Sequence, residues 1–165
     1  DMPINSYNNK NIALKNAKLL IDAGADIVKI EGDNDILEIV KHLSINKIPV
    51  CGHIGYMPQI NNYHKSLNDN LLDKAKNLEQ AGAKMLVMSM TSEAEDKIIT
   101  DKLKIPTISF RSSNFCTGEV ELLYDLLEIT KISFLNNKDN AKKITSPNIF
   151  NKLEKFIEKI HNRKI

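Results

Sequence analysis

Residues 11–32 read NIALKNAKLLIDAGADIVKIEG, and this stretch contains the unit from which the fold is built. From Asn11 to Ala23 the residues Ile12, Leu14, Ala17, Leu19, Leu20 and Ile21 supply a broad apolar helical face, with Gly24 as its stop. The run Ala25-Asp-Ile-Val-Lys-Ile30 is rich in β-branched residues and ends at Glu31-Gly32, which predicts a strand. Working outward, the unit recurs. A helix over Asp35–Leu43 precedes a strand at Ile48–Cys51, and a helix over Asn68–Ala81, stopped by Gly82, precedes a strand at Lys84–Met88. A fourth helix, Glu93–Leu103, leads into a strand at Ile105–Ile108.

Connections this short suit right-handed βαβ units and a parallel sheet covered by helices. Beyond about residue 118 the strand signal fades. The remainder reads as helices over Glu119–Ile129 and Pro147–Ile160, with a polar connection from Asn136 to Ser146. No linker divides the chain, so residues 1–165 are expected to form a single domain. Periodicity leaves two architectures equally open: a segment of an eight-stranded α/β barrel, which typically takes about 250 residues, and an open doubly wound sheet. Neither GxGxxG nor GxxxxGK[ST] is present, which weakens the nucleotide-binding version of the open sheet. The first residue is Asp1, and the expectation is a processed chain or, better suited to four strands, a fragment.

The bulk properties exclude more than they assign. With 42% hydrophobic and 27% charged residues, the composition is that of a globular protein. A net charge of +2 gives no electrostatic reason to expect a nucleic acid or an anionic membrane as partner. Cys51 and Cys116 lie far apart and form no CxxC pair, so a reducing, cytoplasmic setting is expected. No apolar run approaches the roughly 20 residues that span a bilayer.

Parallel α/β folds collect their chemistry at the carboxyl ends of the strands. Those ends carry Lys29 and Glu31, then His53, then Ser89, then Ser109 and Arg111. Alternation along a strand places Lys29 and Glu31 on one side, as it does Cys51 with His53 and Val87 with Ser89. An acid, an ammonium and an imidazole on one rim suit a hydrated divalent cation with an anionic substrate, and an oxygen ligand such as Glu31 favours Mg²⁺ over zinc. Each residue also has a plainer reading: Lys-x-Glu as a surface ion pair, and a histidine before glycine as a turn cap.

The run Ile48-Pro-Val-Cys-Gly-His-Ile-Gly-Tyr-Met-Pro-Gln59 resembles the GIPV-x-GHIGLTPQ stretch of ketopantoate hydroxymethyltransferases, with Tyr56-Met57 in place of Leu-Thr. Three further segments are similar to that family in the same order. They are Asp1-Met-Pro-Ile-Asn-Ser-Tyr7, Gly24-Ala-Asp-Ile-Val-Lys-Ile-Glu-Gly32, and Ala81-Gly-Ala with Met85-Leu-Val-Met88. The similarity fades after about Leu127. It implies a (β/α)₈ TIM barrel of the phosphoenolpyruvate mutase and isocitrate lyase superfamily, incomplete here and amounting to its C-terminal two-thirds. The implied reaction moves a hydroxymethyl group from 5,10-methylenetetrahydrofolate to 3-methyl-2-oxobutanoate, with Mg²⁺ chelating the oxo acid, and gives ketopantoate for pantothenate synthesis. The resemblance also implies a homo-oligomer where the barrel is complete. It assigns Asp1 to metal and substrate, Glu31 to the metal, Lys29 to the substrate, and His53 to the active site.

Departures from the family pattern fall in the second half. Ser89 stands where the family has its glutamate base, and a serine hydroxyl takes no proton from carbon near neutral pH without an activating base of its own. Glu93 and Glu95 follow, in a helical first turn expected to aim them elsewhere. The glycine-rich IGIGAG of the family is here Ile108-Ser-Phe-Arg-Ser-Ser113, and its CDGQ is Cys116-Thr-Gly-Glu119. The earlier family segment, with a further metal-binding Asp and a substrate-contacting Ser, has no counterpart in these residues. Impaired activity is therefore expected, and a catalytically inert paralogue that binds a 2-oxo acid with Mg²⁺, or serves as a structural subunit, is the alternative.

Overall fold

The computed structural model describes residues 1–32, 34–57, 59, 70–127 and 147–163. Five strands form one parallel sheet: β1 (Val28–Glu31), β2 (Val50–Gly55), β3 (Met85–Ser89), β4 (Thr107–Phe110) and β5 (Gly118–Glu119). The helices are α1 (Lys10–Asp22), α2 (Leu37–Ile45), α3 (Leu71–Ala81), α4 (Glu93–Lys102), the single turn α5 (Leu123–Leu126), and α6 (Pro147–His161).

Local chemistry explains most of the boundaries. Asn9 caps α1 by accepting from the Ile12 amide at 3.0 Å, and Asn70 caps α3 by accepting from the Asp73 amide at 3.2 Å. Ser92 and Glu95 form a reciprocal capping box that starts α4. The expected strand at Ile48–Cys51 is longer and later, running through His53 to Gly55. His53 therefore lies within a strand and is not a turn cap. The short strand β5 was absent from the periodicity reading because two residues carry no alternation. Of the helix expected over Glu119–Ile129, only Leu123–Leu126 is helical among the described residues. Positions 128 and 129, the connection 136–146, and the expected first two residues of the third helix, 68 and 69, lie outside them.

Strand order decides between the two architectures. The sheet runs β1-β2-β3-β4-β5 without a reversal, whereas a doubly wound sheet turns back at a switch point and covers both faces with helices. Here α1 packs on α2, α2 on α3, and α3 on α4, so these helices form one layer. The face turned to that layer is made of Val28, Ile30, Val50, Ile54, Leu86 and Met88, packed with Ala13, Ala17, Val40, Leu43, Ala75, Leu78 and Ile99. Gly52 belongs to this face, since a Cβ there would meet the Leu78 and Leu86 methyls at 3.1 and 3.3 Å. The opposite face carries Lys29, Glu31, Cys51, His53, Val87 and Ser89, in the register Lys29↔Cys51, Glu31↔His53, His53↔Val87 and Gly55↔Ser89. One helical layer outside and a polar, inward face inside is the construction of an α/β barrel wall. Among the described residues it forms an open arc of five strands.

The last helix returns to the far end of this arc. Arg163 donates from Nη1 to the Cys116 and Gly118 carbonyls at 3.1 and 2.9 Å, and Lys159 pairs with Glu119 at 2.8 Å. Glu119 is thereby committed to α6, on the outer side of β5.

Candidate functional site

At the carboxyl ends of β1 and β2 four charged or ionisable side chains meet. Lys29 Nζ lies 3.1 Å from Glu31 Oε1, 3.3 Å from His53 Nδ1 and 3.5 Å from Asp1 Oδ2. His53 Nδ1 is in turn 3.2 Å from Glu31 Oε1. The β1–β2 register puts Glu31 directly beside His53, so the pairing follows from strand parity and not from loop conformation.

Glu31 is the hub and is only 3% exposed. Burial pushes its carboxyl up, but the hydrogen bond and charge of His53, followed by those of Lys29, outweigh it and hold the group at about 2. Further contacts fix it. The Gln59 amide donates to Glu31 Oε2 at 3.1 Å, and the Ile4 amide donates to the Gln59 side chain at 2.8 Å. Tyr7 donates to the Glu31 carbonyl at 3.1 Å, and the Met2 amide to the Lys29 carbonyl at 2.9 Å. The N-terminal segment and the end of the GHIG run thus buttress the same carboxylate. Gln59 was quoted within the motif but not singled out as a site residue; its signal lies only in that folded proximity.

Asp1 stands at the margin, with its side chain 60% exposed. Among the described residues no group of three or more His, Cys, Asp and Glu side chains is arranged to hold a metal. The hard oxygen donors of Asp1 and Glu31 do match the one or two carboxylates that Mg²⁺ takes when water and substrate supply its other ligands. In kind and number, this pair fits such an ion.

At the ends of β3 and β4 the arrangement differs. Ser89 faces inward and is fully buried, and its Oγ has no hydrogen-bond partner among the described residues. No bond connects it to the Lys29–Glu31–His53 group. Gly55 permits its position: with φ +88°, a Cβ there would collide with the Ser89 carbonyl, which accepts from the Tyr56 amide at 2.9 Å. The two glutamates that follow in sequence are placed elsewhere. Glu95 is bound into the capping box through the Ser92 amide at 2.8 Å, and Glu93 is exposed.

The acidic side chain buried after β3 is Asp96, which the sequence reading did not select. It accepts from Thr91 Oγ1, from Ser112 Oγ, from the Ser113 amide at 2.8 Å and from Ser113 Oγ at 2.6 Å. Ser112 and Ser113, which stand in the family's glycine loop, are thus tied back onto α4. Arg111 has φ +50°, the left-handed conformation that glycine adopts freely. Its guanidinium pairs with Asp125 and lies 5.4 Å over the Phe110 ring. Register puts Phe110 beside Ser89 on the inner face. Ser109, expected at the rim with Arg111, instead pairs in register with Met88 and faces the helical layer.

Residues 1–164 match the family described as Ketopantoate hydroxymethyltransferase. A 3-methyl-2-oxobutanoate hydroxymethyltransferase of Wigglesworthia glossinidia brevipalpis is 38% identical over 98% of the chain and 64% of that protein. One from Buchnera aphidicola subsp. Schizaphis graminum is 40% identical over 83% of the chain and 57% of its own length. The archaeal enzyme of Sulfolobus acidocaldarius is 32% identical over 99% of the chain and 64% of its own length. The chain thus spans about three-fifths of the length of the curated relatives it matches. It belongs to the ketopantoate hydroxymethyltransferase family, a TIM-barrel family of which it holds an incomplete barrel.

Proposed function

We propose that, as a member of this family, the chain binds 3-methyl-2-oxobutanoate on the inner rim of its sheet and takes part in hydroxymethyl transfer to it from 5,10-methylenetetrahydrofolate. The observation that carries this reading is the Lys29–Glu31–His53 group, three side chains within 3.3 Å of one another at the ends of adjacent strands. Taking such groups out of water is costly, and clusters of this kind gather at functional sites.

In this reading Lys29 supplies the positive charge for the 2-oxo acid carboxylate. Glu31, with Asp1, would hold Mg²⁺, which when bound supplies stabilisation of negative charge developing on the oxo oxygen. Glu31 also orients the His53 ring through Nδ1, and Gln59 keeps the Glu31 carboxylate from rotating away. Val87, buried and in register with His53, helps to exclude water from the cluster. Among the described residues no helix is long and apolar enough to cross a membrane.

A second reading is favoured by Ser89. Among the described residues its hydroxyl has no partner that would activate it to take the C3 proton. On that reading the chain binds the 2-oxo acid without turning it over. The experiment that tests the proposal is NMR-detected exchange of the C3 proton of 3-methyl-2-oxobutanoate in D₂O with Mg²⁺, for the chain and for Ser89→Glu. A positioned base is worth about 10²–10⁴-fold, so Ser89→Glu is expected to accelerate exchange by that order. Binding with no exchange in either protein favours the second reading. Failure of both proteins to bind the oxo acid rejects the proposal.

A further inference from the structure

Four buried side-chain atoms have no hydrogen-bond partner among the described residues. Two of them lie off the inner face of the sheet, His42 on α2 and Arg163 just after α6. The other two, His53 Nε2 and Ser89 Oγ, share its inner face. Gly55 is the register partner of Ser89, so His53 and Ser89 are offset by one strand and two residues. Strand spacing and rise place their Cα atoms about 8 Å apart, a span that the two side chains and one bound oxygen can bridge.

Among the described residues neither atom has an alternative partner on that face. The inward residues around them are Val87, which pairs with His53, and Phe110, which pairs with Ser89. His53 is 4% exposed and Ser89 0%, so bulk water does not satisfy them. Nor is the ring free to turn its unpaired nitrogen elsewhere. Nδ1 is held between Glu31 at 3.2 Å and Lys29 at 3.3 Å, which leaves Nε2 directed away from the ionic group. An unsatisfied buried donor or acceptor is expensive, and two on one face indicate a group that completes them.

We propose that Ser89 Oγ and His53 Nε2 together hold one oxygen of a small oxo-acid ligand, which makes Ser89 a ligand-binding residue in its own right. The serine hydroxyl both donates and accepts, so it serves a carbonyl, carboxylate or hydroxyl oxygen. This inference rests on the 2-oxo acid reading above. It differs from that reading in giving position 89 a function that needs no proton transfer from carbon.

The test compares the full chain with Ser89→Ala, using 3-methyl-2-oxobutanoate with Mg²⁺ as probe. Affinity is read by calorimetry, thermal unfolding is followed without ligand, and the His53 ring nitrogens are observed by ¹⁵N NMR. Losing one ligand hydrogen bond should weaken binding by about five- to tenfold. The unfolding temperature of the ligand-free variant should stay level or rise, because alanine removes an unsatisfied hydroxyl. In the parent chain the Nε2 resonance should move on saturation with the oxo acid. Equal affinity in both proteins overturns the inference and leaves the 2-oxo acid reading standing. An unmoved Nε2 resonance at saturation does the same. A fall in unfolding temperature alongside weaker binding identifies a structural serine and also overturns it. Absence of binding by the parent chain rejects the 2-oxo acid reading, and this inference with it.

Discussion

The two halves of the inner rim are built on different principles. At β1 and β2 the charged groups are paired with one another across strands, and the backbone around them is tied down by Gln59, Tyr7 and Met2. At β3 and β4 the polar groups are drawn outward into clasps, Asp96 with Thr91, Ser112 and Ser113, and Arg111 with Asp125. The polar side chain left facing inward there is Ser89, beside Phe110 and without a hydrogen-bond partner among the described residues. One half thus keeps the electrostatics of a ligand site. The other commits its polar side chains to holding the loops after β3 and β4.

Breaking the first half should have the largest effect. Glu31→Gln leaves Lys29 beside a buried neutral partner, and loss of one member of such a pair typically costs about 3 kcal/mol, measurable by urea unfolding at pH 7. The same variant sharpens the comparison through pH. Glu31 has its carboxyl lowered from the ordinary 4.5 to about 2, so the unfolded chain takes up this proton first as the medium is acidified. Its stabilising contribution is complete above about 4.5 and is lost as the pH falls toward about 2. Urea midpoints across that window should decline in the parent chain, and less steeply in Glu31→Gln. An equal decline would move the acid sensitivity to other carboxylates.

Breaking the second half should cost somewhat less. Asp96→Ala strands the Ser113 amide and three hydroxyls, and a hydrogen bond to a charged group is worth about 1.5–3 kcal/mol. A loss of about 2 kcal/mol by urea unfolding is expected, with 2-oxo acid affinity altered far less than by Glu31→Gln. If affinity falls equally, the two halves act as one site and the contrast between them fails.

The smallest effect belongs to Arg111→Gly. Glycine relieves the left-handed strain at φ +50° but removes the pair with Asp125, and the opposing contributions are each of the order of 1 kcal/mol. A net change under about 1 kcal/mol is expected in the unfolding free energy. A larger loss would show that the Arg111–Asp125 pair is a principal anchor of the loop after β4.

Much of this was legible before any coordinates. The alternation of amphipathic and β-branched runs determined a parallel sheet with helices, because period and strand parity are properties of the chain itself. Parity also determined that Lys29 with Glu31, and Cys51 with His53, share a side. The long GHIG run determined the family. Strand order was not legible: a barrel wall and a doubly wound sheet use the same βαβ units and differ only in where each next strand docks. Nor were the two-residue β5, the inward turn of Phe110 and the outward turn of Ser109, because all three depend on a register set by neighbouring strands.

The sequence by itself thus determined the first four strands with their helices, the family and the residue at position 89. Tertiary structure alone decided that Asp96 is consumed by its own loop, that Gln59 reaches back to Glu31, and that Ser89 and His53 each keep an unpaired atom on one face. The physical reason is that hydrogen-bond partners many residues apart are chosen by packing and register, and no local pattern in the chain records that choice.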